Sequence, residues 1–224
     1  MPETPTEIVI HGVPGSPYVR KVLLTCEEKG APHRLAAMAI GAGKTPEHLA
    51  GQPFGRIPWV EHGDFGLYET DAVIRYVDEA FDGPPLQPKD PKARARMNQV
   101  MGIVDAYVMP SMTAGIGWAR IMCPRLGLPV DEAAVAAAVA PSQTCLAALE
   151  AILGDQTFMA GPSLSLADLM LLPHIDFLPQ SPEGRDLLAA APRLAAWLER
   201  MRARPSAQAT EADKLMAQAA AAAA

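Results

Sequence analysis

The chain has 224 residues, half of them hydrophobic and a fifth charged, with a formal net charge of −6. That is enough to bury a core as one large or two modest domains, and the acidic balance without a basic tract argues against nucleic acid as a partner. No unbroken apolar run approaches the roughly 18 residues of a membrane span, and the polar, acidic start from Met1 to Glu7 is unlike a secretory signal.

The first element in chain order is a strand over 7–12. Ser16 then stands where a helix N-cap belongs, Pro17 suits the first helical position and Gly30 suits the stop. Val19, Val22, Leu23 and Cys26 fall on one face of that helix. A serine here has two compatible uses. It can cap the helix, or its hydroxyl can face an anion drawn to the helix N-terminus. Residues 34–40 read as a second strand, and 41–44 as a loop. Thr45 opens a short helix. Residues 57–61 and 66–68 form a hairpin around Gly63. Thr70 opens a helix through Phe81 with Ala72, Val73, Tyr76 and Val77 on one side.

Four prolines between positions 82 and 91 mark a linker. Beyond it the pattern is helical, over 92–122, 131–153, 165–178 and 185–204. Ser165 and Asp168 have capping-box spacing, and Leu164 can staple to Leu169. The expected organisation is an α/β domain over 1–82, a linker over 83–91 and an all-helical domain over 92–210. The alanine-rich stretch 211–224 is set aside as disordered or an appended tail. Cys26, Cys123 and Cys145 are odd in number and far apart, which disfavours a disulfide framework or a C-x-x-C motif and points to the cytoplasm. His11, His33, His48, His62 and His174 lack metal-ligand spacing, so no metal is expected.

Five motifs, in order, carry a resemblance. They are Ser16-Pro17-x-x-Arg20-Lys21-Val22, Lys44-Thr45-Pro46-Glu47, Pro53-Phe54-Gly55-Arg56-Ile57-Pro58, Leu67-Tyr68-Glu69-Thr70-x-Ala72-Val73-x-Arg75-Tyr76, and Met159-Ala160-Gly161 followed by Ser165-Leu166-Ala167-Asp168. Together they resemble the glutathione transferases, most of all the serine-type, phi- and theta-like classes, over about 7–204 of the chain. The resemblance implies a thioredoxin-like N-terminal domain, an all-helical C-terminal domain and a homodimer. It implies glutathione as co-substrate, with no permanently bound cofactor.

Residue by residue, the resemblance makes Ser16 the catalytic hydroxyl that holds the glutathione sulfur as a thiolate. Pro58 matches a cis-proline that frees the backbone of Ile57 to pair with the cysteinyl unit. Glu69 and Thr70 match the residues that hold the γ-glutamyl end, and Lys44 matches a lysine facing the glycyl carboxylate. Arg56 stands where related sequences more often carry Gln, and either adds a charge to that carboxylate or points to solvent. Position 43 is Gly where phi-like sequences often carry His. A small hydrophobic electrophile would sit in an apolar pocket between the domains, near Val13, Tyr107, Met112 and Trp118. The implied role is conjugation in detoxification. Peroxide reduction or dehalogenation with the same thiolate, and a non-catalytic binding module on the same fold, remain open readings.

Overall fold

A computed structural model describes residues 7–222 of the chain. The reading of the first six residues lies outside the described part. Two compact units emerge. One runs to Leu86 and takes up the chain again from Arg204; the other is Gln87–Ala203.

The first unit is built on a four-stranded sheet in the order β2-β1-β3-β4. Its elements are β1 (Ile8–Gly12), α1 (Pro17–Lys29), β2 (His33–Ala37), α2 (Pro46–Gly51), β3 (Trp59–His62), β4 (Phe65–Tyr68) and α3 (Thr70–Ala80). β1 pairs parallel with β2 across α1, as a crossover helix requires, and antiparallel with β3. Ile8 and Ile10 are fully buried, as are Val19, Val22, Val73, Ile74 and Val77 of α1 and α3. Gly12 is the close-approach point: a Cβ there would meet Val19 Cγ2 at 2.3 Å. Gly30 ends α1 in the left-handed conformation at φ 64°, as its position predicts. In α3 the buried stripe is Val73, Ile74 and Val77, with Ala72 exposed, so the apolar face is rotated from the one read in the sequence. Tyr76 is half-buried and binds His62 Nδ1 through its hydroxyl at 2.7 Å.

A buried ion pair fastens the linker to this unit. Lys29 Nζ lies 3.1 Å from Asp78 Oδ1 and donates to the carbonyl of Pro84 at 3.2 Å. Asp78 Oδ1 in turn accepts from the Leu86 N–H at 2.9 Å.

The second unit is helical: α4 (Pro91–Ile103), a π-helical continuation Val104–Met122, α5 (Cys123–Arg125), α6 (Glu132–Leu153), α7 (Leu166–Ile175), α8 (Pro182–Ala189) and α9 (Pro192–Arg202). The single helix expected over 185–204 is two. Pro192 lacks an N–H and opens α9 at its first position, so it cannot continue α8. Every residue of α7 is buried. At its start Asp168 accepts from Ser165 N at 3.0 Å, Ser165 Oγ at 2.8 Å, Met159 N at 2.9 Å and Trp197 Nε1 at 2.9 Å. The capping box read from the sequence is therefore also the anchor for α9. Arg120 grips Glu132 and Glu183 at the starts of α6 and α8, and its hydrogen bonds hold both carboxyls below the usual range.

By length and mean hydropathy, Pro91–Arg125 and Glu132–Leu153 pass for membrane spans, although neither is an unbroken apolar run. Their apolarity is largely alanine, valine and methionine interrupted by Pro110 or Pro141, and both helices pack within the helical unit.

The chain after residue 203 departs from the expected domain limits. Arg204 and the short helix α10 (Pro205–Ala209) group with the first unit, and 212–222 forms a helix, α11 (Ala212–Ala222), with Leu215 buried. The reason is tertiary: Arg204 and Ser206 bind Glu28 of α1, and Arg20 binds the Ala207 carbonyl.

Ser165→Ala is expected to lower stability by about 1 kcal/mol, the ordinary cost of a lost cap. The measurement is the urea midpoint, and an unchanged midpoint would remove Ser165 from this account. Lys29→Met removes the cation of a buried ion pair and should cost about 3–5 kcal/mol. Adding Asp78→Asn keeps an acceptor for Leu86 N–H and should recover most of that loss.

Candidate functional site

Sheet register gathers the site at one end. His11 faces Trp59, and Trp59 faces Tyr68. One step beyond that row, the chain leaves β1 toward Val13 and Ser16, enters β3 from Ile57 and Pro58, and leaves β4 into Glu69 and Thr70. β2 ends beside Gly12, where Met38 N donates to Gly12 O at 2.9 Å, and leads into the turn Ala42–Lys44. Ser16, Lys44, Arg56, Ile57, Pro58, Glu69 and Thr70 thus leave the sheet from the same end.

Ser16 occupies the N-cap position of α1 with extended backbone, φ −63° and ψ 129°, but its side chain makes no capping hydrogen bond. Its N–H donates to Val13 O at 3.1 Å and its carbonyl accepts from Arg20 N at 2.9 Å. The backbone is satisfied and the hydroxyl stays available. The first turn of α1 carries no acidic residue, and the fully buried Lys21 places Nζ 3.8 Å from the centre of the Tyr18 ring. An anion beside Ser16 would therefore meet a positive helix end.

Glu69 repeats the pattern at α3. It takes the N-cap position at φ 67° and ψ 108°, with no side-chain cap, while its carbonyl accepts from Val73 N at 3.0 Å. It is the one non-glycine residue at positive φ among the described residues. Such strain is retained where the surroundings demand it. The carboxylate is exposed, and Thr70 behind it is buried.

The Ile57–Pro58 peptide is cis, with Ile57 half-buried and Pro58 buried. The loop before it is held from inside. Gln52, 1% exposed, accepts through Oε1 from Phe54 N at 2.7 Å and Arg56 N at 3.3 Å. His48 Nε2 donates to Arg56 O at 2.6 Å. Gly43 and Gly55 bring the two basic loops together: a Cβ on Gly43 would stand 2.8 Å from the Gly55 carbonyl oxygen. Glycine at 43, an oddity in the sequence, is what this contact requires. The side chains of Lys44 and Arg56 are exposed, and neither shows an ion-pair partner among the described residues.

The expected apolar-pocket residues fall in both units. Val13 is half-buried on the loop before Ser16. In the helical unit Tyr107 and Trp118 are exposed, whereas Met112 has no exposed surface. Cys26 is no competing nucleophile, because burial, with the charge of Glu27 added, pushes its thiol up to about 12. Among the described residues no group of three or more His, Cys, Asp or Glu side chains is placed to hold a metal ion. Sequence reasoning missed His48 and Gln52 as the supports of the basic loop. A buried glutamine between Gly51 and Pro53 leaves no periodic signal.

Comparison with known proteins identifies the family. The glutathione S-transferase N-terminal domain family matches residues 10–85, and the glutathione S-transferase C-terminal domain family matches 132–200. Glutathione S-transferase F14 of Arabidopsis thaliana is 35% identical over 82% of this chain and 75% of its own. The crystal structure of glutathione transferase F7 from Populus trichocarpa superposes with a TM-score of 0.82 at 28% identity, covering 91% of this chain and 97% of that one. A theta class glutathione S-transferase from Xanthomonas axonopodis pv. citri, solved with glutathione bound, gives 0.78 at 28% identity over 92% and 97%. Sheet, helical unit and both family matches agree over most of the length, and the chain belongs to the glutathione S-transferase family.

Proposed function

We propose that Ser16 activates glutathione as a thiolate, and that this thiolate attacks small apolar electrophiles. The observation that carries the reading is the Ser16 hydroxyl, which sits at the N-terminus of α1 without capping it. It can donate to a sulfur anion while the helix end stabilises the same charge. In the reaction the glutathione thiol gives its proton to solvent. Sulfur then forms a bond to the electrophilic carbon, and a halide leaves with the electron pair of the broken bond.

The remaining residues would clamp the tripeptide. The Glu69 carboxylate takes the γ-glutamyl ammonium, and the start of α3 at Thr70 takes its carboxylate. The Ile57 backbone pairs with the cysteinyl unit like an added strand. Lys44 and Arg56, brought together by the Gly43–Gly55 contact, neutralise the glycyl carboxylate. Glutathione is a co-substrate in this scheme. The same reading has the enzyme act in the cytoplasm, in detoxification and as a homodimer, and the exposed Phe54 and Phe65 give the first unit apolar surface for such a contact.

Magnitudes limit what Ser16 does alone. A thiol at about 8.5 is roughly 3% ionised at pH 7, and one lowered by two units is about 75% ionised, a gain worth ~2.7 kcal/mol. Nucleophilicity falls as the thiol acidifies, with a slope of ~0.4–0.5, so the net gain in rate is only a few-fold. Holding thiolate and electrophile together must contribute the larger share.

Ser16→Ala removes a hydrogen bond to a charged acceptor, worth about 1.5–3 kcal/mol. That energy acts on ionisation, and the weaker nucleophilicity of an acidified thiol offsets most of it, so with chlorodinitrobenzene as electrophile kcat/KM at pH 7 should fall only a few-fold. The deficit should shrink toward pH 9, where solvent alone ionises the thiol. A deficit that is the same at every pH would contradict thiolate stabilisation. Glu69→Gly should relieve a strain of about 1–3 kcal/mol and raise the melting temperature. The same change should weaken glutathione binding. Tighter or unaltered binding, read by calorimetry, would remove Glu69 from the site.

A further inference from the structure

The last residue of α2 lies directly on an indole. A Cβ on Gly51 would stand 2.5 Å from Trp59 Cε2 and 2.6 Å from Cδ2 and Cζ2, so it is backbone that meets the ring. The same indole carries the His11 ring, with centroids 4.3 Å apart and planes within 9° of parallel. Sheet register explains the meeting. His11 of β1 pairs with Trp59 of β3, so both side chains leave the sheet on the face opposite the buried Ile10 and Val60. His11 is fixed in turn by Glu61, whose Oε2 lies 2.7 Å from His11 Nε2. A carboxylate only accepts, so Nε2 carries the proton of this bond. The indole is thus pinned by two elements, by an imidazole from β1 and by the end of α2.

What rests on the indole bears on the site. Gln52 follows Gly51, and its buried Oε1 accepts from Phe54 N and Arg56 N. His48, on the same helix, holds the Arg56 carbonyl. The placement of α2 therefore sets the backbone of 54–56, and Ile57 comes next. Tyr68, paired with Trp59 from β4, meets the edge of the Phe54 ring at 6.0 Å from the other side of this loop. The contacts run from Glu61 through His11, Trp59, Gly51 and Gln52 to Arg56. Displacing the indole would move α2 and, with it, the backbone that enters β3.

We propose that His11, fixed by Glu61, is a positioning residue for glutathione. Its ring backs the indole on which α2 rests, and so holds the Arg56–Ile57 backbone in register with the tripeptide. It acts on glutathione binding and leaves the ionisation of the thiol to Ser16. The inference rests on the assignment of Ile57 and Arg56 to the cysteinyl and glycyl units.

Initial rates with chlorodinitrobenzene give the KM for glutathione and kcat separately, and the urea midpoint and bound-thiol titration are read on the same variants. His11→Leu should raise KM roughly fivefold to tenfold and leave kcat within about twofold, the pattern of binding lost equally from ground and transition states. His11→Phe keeps a ring on Trp59 and should recover most of that loss. Glu61→Gln keeps an acceptor for Nε2 and should stay near the original KM, whereas Glu61→Leu should move toward His11→Leu. Gly51→Ala drives a methyl into the indole from α2 and should raise KM in the same way. Because one chain of contacts is broken in each, His11→Leu with Glu61→Leu should be no worse than His11→Leu alone. The bound thiol should titrate alike in every variant. An unchanged KM in His11→Leu and Gly51→Ala, in protein that the urea midpoint shows to be folded, would overturn the proposal. A thiol that titrates higher in His11→Leu would also overturn it, because the effect would then lie at Ser16. If His11→Leu does not fold, Glu61→Leu is judged by the same reading of KM. Failure of the underlying glutathione assignment appears elsewhere, as a rate in the parent chain that does not saturate with glutathione.

Discussion

The antiparallel register of β1 against β3, with His11 facing Trp59, is the constraint on which the site depends. It brings the exit of β1, the entry of β3 and the exit of β4 into one row, so loops as far apart in sequence as those at Val13 and Glu69 converge. A slip of one residue would reverse the faces of every side chain in a strand. Ile8, Ile10 and Val60 hold the register by filling the core side, and the stacked His11 and Trp59 rings, 4.3 Å apart, occupy the other. The loops then need only local devices: Gln52 and His48 inside one, Gly43 against Gly55 between two.

Two helices begin at this end, and each has an N-cap residue whose side chain does not cap. At α1 that residue is Ser16, and at α3 it is Glu69. Ordinary surface helices satisfy their first N–H groups with such side chains at a gain of about 1 kcal/mol. Here that stabilisation is forgone at both starts, while α2, α4, α6 and α8 in the same chain are capped by Thr45, Asp90, Asp131 and Ser181. In the proposed function these two starts are where the positive helix end would face glutathione. The positive φ of Glu69 supports the same conclusion from backbone conformation.

Much of this was legible in the sequence because it is local. Ser16, Pro17 and Gly30 bracket α1, Gly63 marks the hairpin, and Ser165 with Asp168 marks the start of α7. The cis peptide at Pro58 was not legible from local chemistry, since only about 5–6% of such bonds are cis; the family resemblance supplied it. The missed features are tertiary. Alanine-rich composition set 211–224 aside, yet 212–222 is helical and continues from a stretch that Arg204 ties to Glu28, 176 positions away in sequence. The break at Pro192 was hidden by helical spacing on both sides of it. The face of α3 was misjudged because Ala72 and Ile74 both suit a helical stripe, and packing against α1 selects Ile74.

The central claim is that the free hydroxyl of Ser16 stabilises a thiolate. Ultraviolet difference absorbance of bound glutathione, followed from pH 5 to 9, reads that directly. The account predicts a bound thiol titrating well below about 8.5, returning toward that value when Ser16 is replaced by alanine. A bound thiol that titrates as it does free in solution would contradict it.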